Sequence, residues 1–309
     1  MTHNRKIILL RYSTAILIFM AGDAYAQTQN VRYGFTEDSY GRDDLRIDDP
    51  FAYRGPPIES HGYRITPNLT LLQKYNDNIY ATETNVEGDF VTTVAAKLRI
   101  DKPIGRHTFG IEVQGATDYY FSNNNENTTD YSLKARAGIE ATRALSFPME
   151  VSYRSGHIER TNTRIEGLTR EPVKYTETGG HIGVLYKPNR FKLELQGGYH
   201  QRRLENGTLF YGDAAAIKDD KDYDQYEGTA QVSYEFGSGW EPFVETSYAE
   251  NDYLRKDYTG GGYNGVSRDN SLFKTLVGTF FDFKGLFTGM IGAGHEKRTY
   301  KDPAIDNSS

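Results

Sequence analysis

The sequence predicts an all-β fold, namely an antiparallel up-and-down transmembrane β-barrel of which about eleven strands are visible. From position 62 onward, segments alternate between polar and apolar side chains with the period of a β-strand. These segments are roughly 12–15 residues long, whereas strands of soluble sheets usually have about 5–6. The connections between them alternate between short and long, as in barrels with tight turns at one end and long loops at the other.

The predicted strand 89–101 has the clearest alternation. Val94 and Leu98 share one face, while Lys97 and Arg99 share the other. A half-buried soluble sheet would give the same pattern, with its apolar face on a core. The strand lengths and the sorted loops favour the opposite arrangement, in which the apolar face contacts lipid and the polar face lines the interior.

The same alternation marks the other predicted strands. The eleven segments lie near 62–76, 89–101, 107–121, 130–143, 146–159, 173–187, 190–204, 223–236, 240–254, 270–283 and 286–300. The pattern is noisier in the last three, so their facing stays open. Aromatic residues near strand ends are typical of the girdles that lie at the two membrane interfaces. The short connections are "DKPIGR", "TRALS", "KPN", "GSG" and "KG", and polar stretches such as "SNNNENTT" and "RKDYTGGGYNGVSRDN" separate them.

Composition supports a chain of strands and turns. The 309 residues include 24 Tyr, 16 Phe and 31 Gly but one Trp, and the mean hydropathy is −0.67. Tyr and Gly enrichment argues against a helical bundle. The absence of cysteine excludes disulfides and thiolate chemistry. The net charge is −6, which argues against a nucleic-acid partner.

The first residues have the features of an export signal. Residues 1–26 combine an N-terminal positive charge, the apolar run 13–21 and a small-x-small pattern ending at Ala26, which together predict a cleaved signal peptide. The apolar run is too short to span a bilayer as a helix. Residues 27–61 carry charge runs and turn residues without periodicity and are expected to form a periplasmic N-terminal arm. Residues 62–309 are expected to form the barrel domain.

Charged residues gather on the predicted inner face of four neighbouring strands. The candidate lumen-lining residues are Lys97, Arg99, Glu112, Asp118, Lys134, Arg136, Glu150 and Arg154. Opposite charges on neighbouring strands stabilise each other across the ladder. Two interpretations stay open. The charges neutralise one another within the wall, or a basic strip formed by Lys97, Arg99, Lys134 and Arg136 attracts anions and sets the selectivity of a pore.

No stretch of the sequence predicts a catalytic, cofactor or metal site. The histidines have no pair at ligand spacing. "DDKDYD", 219–224, resembles the start of a calcium loop, but Gln225 stands where that loop needs Gly, so we interpret it as a solvated acidic loop. "GAGHEK", 292–297, lacks the strand-to-helix context of a phosphate loop, and its glycines are expected to relieve crowding in the wall. A Gly-x-Ser-x-Gly elbow is absent from the sequence.

Three stretches resemble one known family. "PNLTLLQKYNDNIYAT", "GDFVTTVAAKLRI" and "RHTFGIEVQGATDYYFSNNNENTTDYSLKARAGIEA" are similar to members of the β-barrel porin 2 family of outer-membrane proteins, and the resemblance covers about 64–302. It implies the outer membrane of a Gram-negative bacterium. Some relatives lie beside exopolysaccharide export genes, and the family implies no catalytic residues.

These observations predict a barrel that passes solutes or exports exopolysaccharide without a cofactor. The first alternative is a non-conducting surface barrel that binds a partner through its long external loops, and the second is a barrel hydrolase acting on lipid. The expected partners are outer-membrane lipid and the barrel-assembly machinery. Bacterial single-chain barrels have an even number of strands, and relatives continue through further strands. A count of eleven therefore predicts either a miscounted strand after Trp240, where the pattern is noisy, or the front part of a longer barrel.

Overall fold

The computed structural model describes residues 19–21, 57–160, 169–209, 214–237, 239–259, 261–282 and 288–305. Its strands are β1 (Phe19–Ala21), β2 (Ile58–Ser60), β3 (Tyr63–Asn76), β4 (Asp89–Ile104), β5 (His107–Tyr120), β6 (Thr128–Glu140), β7 (Leu145–His157), β8 (Lys174–Tyr186), β9 (Phe191–Leu204), β10 (Gly207–Thr208), β11 (Ala215–Ala216), β12 (Tyr223–Tyr234), β13 (Trp240–Tyr253), β14 (Asn270–Asp282) and β15 (Thr288–Tyr300). Two single-turn 3₁₀ helices are Asn124–Glu126 and Asp219–Lys221. None of the described residues forms a helix long and apolar enough to span a membrane.

The eleven predicted strands are all present, as β3 to β9 and β12 to β15. Their observed ends differ from the predicted ends by a few residues. The largest shifts are at the ends of β4, which continues to Ile104, and of β6, which stops at Glu140. β6 stops there because the chain then turns, with Ala141 N–H donating to the carbonyl oxygen of Leu145 at 3.0 Å. The prediction of an all-β antiparallel fold is therefore confirmed.

The long strands pair in sequence order. The sheet runs β1-β15-β14-β13-β12-β9-β8-β7-β6-β5-β4-β3-β2, and every pair in it is antiparallel. β9 pairs with β12 because β10 and β11 form a separate two-stranded sheet within the connection between them. This up-and-down order places every second connection at the same end.

The two ends of the sheet differ as predicted. The connections 77–88, 121–127, 158–173, 205–222 and 254–269 lie at one end, called here the long-loop end. The connections 105–106, 141–144, 187–190 and 235–239 lie at the short-turn end, where β14 also ends and β15 begins. Every long connection is therefore at the opposite end from every short one.

Short strands accompany the first and last long strands at the short-turn end. β2 pairs with the start of β3 through a turn in which His61 and Gly62 both have positive φ, 50° and 75°, as a tight two-residue hairpin requires. The last residues of the predicted N-terminal arm thus belong to the sheet. β1, within the predicted signal peptide, pairs with Thr288 to Met290 of β15. Cleavage after Ala26 stays a prediction.

The sheet has its apolar side chains outside and its polar side chains inside. In β5 the consecutive residues Ile111, Glu112, Val113 and Gln114 are 51%, 8%, 47% and 9% exposed. A flat single-layer sheet would expose both faces alike, so burial of one face means that the sheet curls around its polar side. An exposed apolar face of this extent is suited to lipid. The predicted facing of strand 89–101 is confirmed, because Val94 is exposed and Ala95 is buried.

Inward apolar residues explain the noisy pattern of the last three predicted strands. Phe243 of β13 and Phe280 of β14 both face inward, and their rings stack with centroids 4.6 Å apart. Glycine makes room for such packing: a Cβ on Gly278 would lie 2.9 Å from Phe243 Cζ and 2.6 Å from the carbonyl oxygen of Ile291. A Cβ on Gly294, in the "GAGHEK" stretch, would lie 2.6 Å from the carbonyl oxygen of Thr275, which supports the expected relief of crowding.

The facing of β6 generates a prediction about stability in lipid. Leu133 is 47% exposed on the outward face, and Lys134 is next to it on the inward face. Leu133→Arg should lower the free energy of unfolding in lipid vesicles by about 2–4 kcal/mol, because the guanidinium would enter hydrocarbon. The matched control Lys134→Arg puts the same group on the polar side and should cost little. Equal losses in urea titrations would show that the two faces meet similar surroundings.

The sorting of the connections generates a prediction about orientation. With the N-terminal arm in the periplasm, the long-loop end should lie outside the cell. A Cβ on Gly261 would have nothing within 4 Å, so an epitope tag inserted there should be tolerated and should bind antibody on intact cells. Gly212, a second expected external position, lies outside the described residues. Binding of antibody to the Gly261 tag only after lysis would reverse the orientation.

Candidate functional site

The inner wall, defined as the inward face of β4 to β9 and β12 to β15, carries the candidate site. All eight predicted lumen-lining residues lie on this face, where they are buried or half-buried. Antiparallel register brings several into direct opposition: Arg99 faces Glu112 across β4 and β5, and Glu112 faces Lys134 across β5 and β6. Opposite charges therefore alternate from strand to strand along the wall.

Glu112 is the centre of an ion-pair network that spans four strands. Its carboxylate lies 3.4 Å from Lys97 Nζ and accepts a 3.0 Å hydrogen bond from Arg136 Nη2. Arg136 Nε is also 3.9 Å from Glu150 Oε2 on β7. The Glu112 side chain is only 10% exposed, so its two cationic neighbours compensate a carboxylate that has lost most of its water.

The other predicted residues lie around this network. Arg99 Nε donates to Asp101 Oδ2 at 2.8 Å. Lys134 has no ion pair among the described residues, although it stands opposite Glu112 in register. Asp118 lies apart from the network towards the long-loop end, where it accepts a hydrogen bond from Thr93. Three of the four basic residues of the predicted strip are thus neutralised by nearby carboxylates.

Sequence reasoning left out the continuation of this pattern onto β8 and β9. Glu177 stands opposite both Arg154 of β7 and Arg202 of β9. Its Oε1 is 3.5 Å from Arg202 Nη1 and 4.0 Å from His200 Nε2. The Arg202 guanidinium lies 4.5 Å from the centroid of the Tyr175 ring. Extending the inward face by one more pair of strands would have found this second cluster.

β12 and β13 form a distinct acidic part of the inner wall. Their sequences contain no Lys or Arg, although both contain acidic residues. Glu241 is paired with Lys192 of β9 at 3.0 Å. Glu227 and Glu245 also face inward and are half-buried, and neither has an ion pair among the described residues. Gly198 leaves space for Glu227, because a Cβ there would lie 2.9 Å from Glu227 Oε1.

Connections at the long-loop end are joined to one another by buried polar contacts. Glu126, 2% exposed, receives two hydrogen bonds from Arg160, with Oε1 to Nη2 at 2.6 Å and Oε2 to Nε at 2.9 Å. Arg160 Nη1 also donates to the carbonyl oxygen of the buried Thr169 at 2.8 Å. A bidentate pair of this kind fixes both partners in position. Asp89 adds a further tie by accepting from the backbone N–H groups of Ser122 and Asn123, each at 2.9 Å.

The prediction that residues 219–224 form a solvated acidic loop is wrong for Asp220 and Asp222, which are buried. Asp220 is 5% exposed and accepts from Tyr258 N–H at 3.1 Å. Asp222 is 8% exposed and accepts from Leu204 N–H at 2.7 Å, and burial raises the pKa of its carboxyl. The sequence could not reveal this because the partners are distant along the chain: Tyr258 lies in another connection, and Leu204 is the last residue of β9. Asp219 also reaches another connection, with Arg255 Nη1 at 2.6 Å.

No group of three or more potential ligand side chains among the described residues could hold a metal ion. His157, one of the scattered histidines, instead lies with Nδ1 2.9 Å from Asp130 Oδ1 on the neighbouring strand. The wall therefore holds its charged groups mainly against one another.

Comparison with known proteins relates this chain to one protein family. Residues 50–309 match the family model described as "Putative beta-barrel porin 2". Among solved structures, the copper transporter OprC is similar with 12% sequence identity and a TM-score of 0.44 over 71% of this chain. The match spans about 39% of that transporter's length. No curated protein sequence matches the chain.

The Glu112 network generates a prediction about stability. Glu112→Gln should lower the free energy of unfolding by about 1.5–3 kcal/mol, because Lys97 and Arg136 lose a buried charged partner. Glu296→Gln is the matched control: Glu296 is 3.0 Å from Lys274 but 52% exposed, so its loss should cost less than about 1 kcal/mol. Denaturant titration of both variants measures the difference. If the two variants lose the same amount, burial of the Glu112 network does not contribute.

Proposed function

The chain belongs to the β-barrel porin 2 family, and we propose that it passes small polar solutes across the outer membrane, with a preference for cations. The observation that carries the proposal is the concentration of charged side chains on the inner face of a sheet whose outer face is apolar. A wall of this kind is stable next to water and unsuited to a dry core.

Partial exposure of the ion pairs supports a wet interior. The side chains of Lys97, Arg136 and Glu150 are 26%, 35% and 21% exposed although all three face inward. Paired charges buried in a dry interior would pay a desolvation cost that ordinary packing avoids. Water along this wall provides the path that a hydrated solute needs.

The distribution of charge supports the preference for cations. The basic strip around Lys97 and Arg136 is neutralised by Glu112 and its neighbours. Glu227 and Glu245 on the β12 and β13 part of the wall carry no ion pair among the described residues. Rings or rows of such carboxylates raise the local concentration of cations in a pore.

Other functions stay as alternatives. Anion preference would follow if the basic strip, of which Lys134 has no ion pair among the described residues, outweighed the acidic part of the wall. Passage of exopolysaccharide needs the same polar interior. The ties between connections at the long-loop end also suit a non-conducting barrel that presents a fixed surface to a partner. A barrel hydrolase acting on lipid stays the third alternative.

The decisive measurement is the current through planar bilayers containing the purified chain. We expect single-channel conductance and, in a KCl gradient, a reversal potential on the cation side. Glu227→Gln with Glu245→Gln should shift that potential towards anions, because it removes the two unpaired carboxylates. As a control, Lys97→Glu with Arg99→Glu should shift it further towards cations.

Absence of any conductance would reject the solute pathway and favour the non-conducting alternative. A wild-type reversal potential on the anion side would assign selectivity to the basic strip instead of to Glu227 and Glu245.

A further inference from the structure

Three aromatic rings stand side by side on the inner wall at the long-loop end. Tyr223 is the first residue of β12, Tyr253 is the last residue of β13, and His200 lies near the end of β9. All three are on the inward face, in contrast to Tyr226 and Tyr248 on the outward face of the same strands. We call His200, Tyr223 and Tyr253 the aromatic row.

The rings of the row are close enough to act as one surface. The centroids of His200 and Tyr223 are 6.2 Å apart, and those of Tyr223 and Tyr253 are 5.5 Å apart. The ring planes of His200 and Tyr223 are inclined to each other by 44°, and those of Tyr223 and Tyr253 by 42°. The rings therefore follow the curve of the wall across three neighbouring strands. The rings are half-buried, which leaves part of each in contact with the interior.

Polar side chains with planar hydrogen-bonding groups border the row. Glu177 lies beside His200, with Oε1 4.0 Å from Nε2. The next inward position after Tyr223 on β12 is Gln225. The inward position before Tyr253 on β13 is Asn251, which stands opposite Gln225 in register. Asn251 is only 4% exposed and donates from Nδ2 to Asn270 Oδ1 at 3.0 Å, so its amide is engaged within the wall and Gln225 is the accessible member of the pair. Carboxylates and amides offer both acceptors and donors to a hydroxyl-rich ligand.

The row is not explained by the membrane or by the ion-pair network. Aromatic girdles face lipid, whereas these rings face the interior. A wall that only conducts ions needs charged and small polar groups, and large aromatic rings at its mouth narrow the path. Rings beside planar polar groups are the combination that binds molecules with both an apolar face and a hydroxyl rim.

We infer that the aromatic row is a binding site for soluble glycans at the mouth of the lumen. Pyranose rings present an apolar C–H face, which packs on Tyr223 and Tyr253, and a rim of hydroxyl groups, which bonds to Glu177 and Gln225. The inference rests on the proposed pathway through the barrel, since the row takes sugar chains that enter or leave along the inner wall.

The test is isothermal titration of the full chain in detergent with hexamers of glucose, N-acetylglucosamine and galacturonic acid. Tyr223→Leu with Tyr253→Leu should weaken binding of the preferred hexamer by about tenfold, because two stacking rings are lost. Tyr223→Phe with Tyr253→Phe keeps the rings and should restore most of the affinity. Tyr226→Leu with Tyr248→Leu removes two outward rings from the same strands and should leave binding unchanged.

The result separates this site from the proposed pathway, because titration does not require an open pore. If the protein conducts KCl but binds none of the hexamers, the aromatic row is not a glycan site, and the proposed pathway still stands. If binding depends on the two inward rings but the protein conducts nothing, the aromatic row is a glycan site and the proposed pathway is rejected. Equal losses in the inward and outward Leu variants, or displacement of the hexamer by lipopolysaccharide at lower concentration, would also overturn the row as a site for soluble glycans.

Discussion

The constraint on which the structure depends is that the polar face of a single-layer sheet has to be kept away from lipid. Hydrocarbon offers no hydrogen bonds to charged groups, so the face that carries Glu112 and Arg136 has to turn inward and the face that carries Ile111 and Val113 outward. Strand pairing in sequence order lets the sheet curl continuously around its polar face. The alternation of exposure between consecutive residues of β5 is the direct result.

Charged side chains that face inward must also be balanced by nearby opposite charges. Between β4 and β9 this balance is achieved by opposite charges on neighbouring strands, as with Lys97, Glu112 and Arg136. β12 and β13 depart from the rule, since Glu227 and Glu245 lack ion pairs among the described residues. A departure from local balance is informative, because uncompensated carboxylates cost stability that a purely structural wall would avoid.

The long-loop end combines fixed connections with an accessible surface. Buried pairs such as Glu126 with Arg160 join the described parts of neighbouring connections, which polar loop sequences alone do not suggest. The aromatic row lies directly beneath these connections, at the ends of β12 and β13. Rigid support for half-buried rings is the arrangement that preorganises a binding surface and limits the ordering cost of binding.

The sequence by itself determined the strands, their facing and the sorting of their connections, because the two-residue period and turn chemistry are local properties of the chain. The inward position of all eight candidate charges followed from the same period. Only the tertiary structure decided which charges meet, since pairing depends on register and on side-chain reach: Glu112 binds Lys97 and Arg136, whereas Asp118 lies apart. Burial of Asp222 and the inward stacking of Phe243 were equally beyond the sequence, because their partners come from other connections or strands.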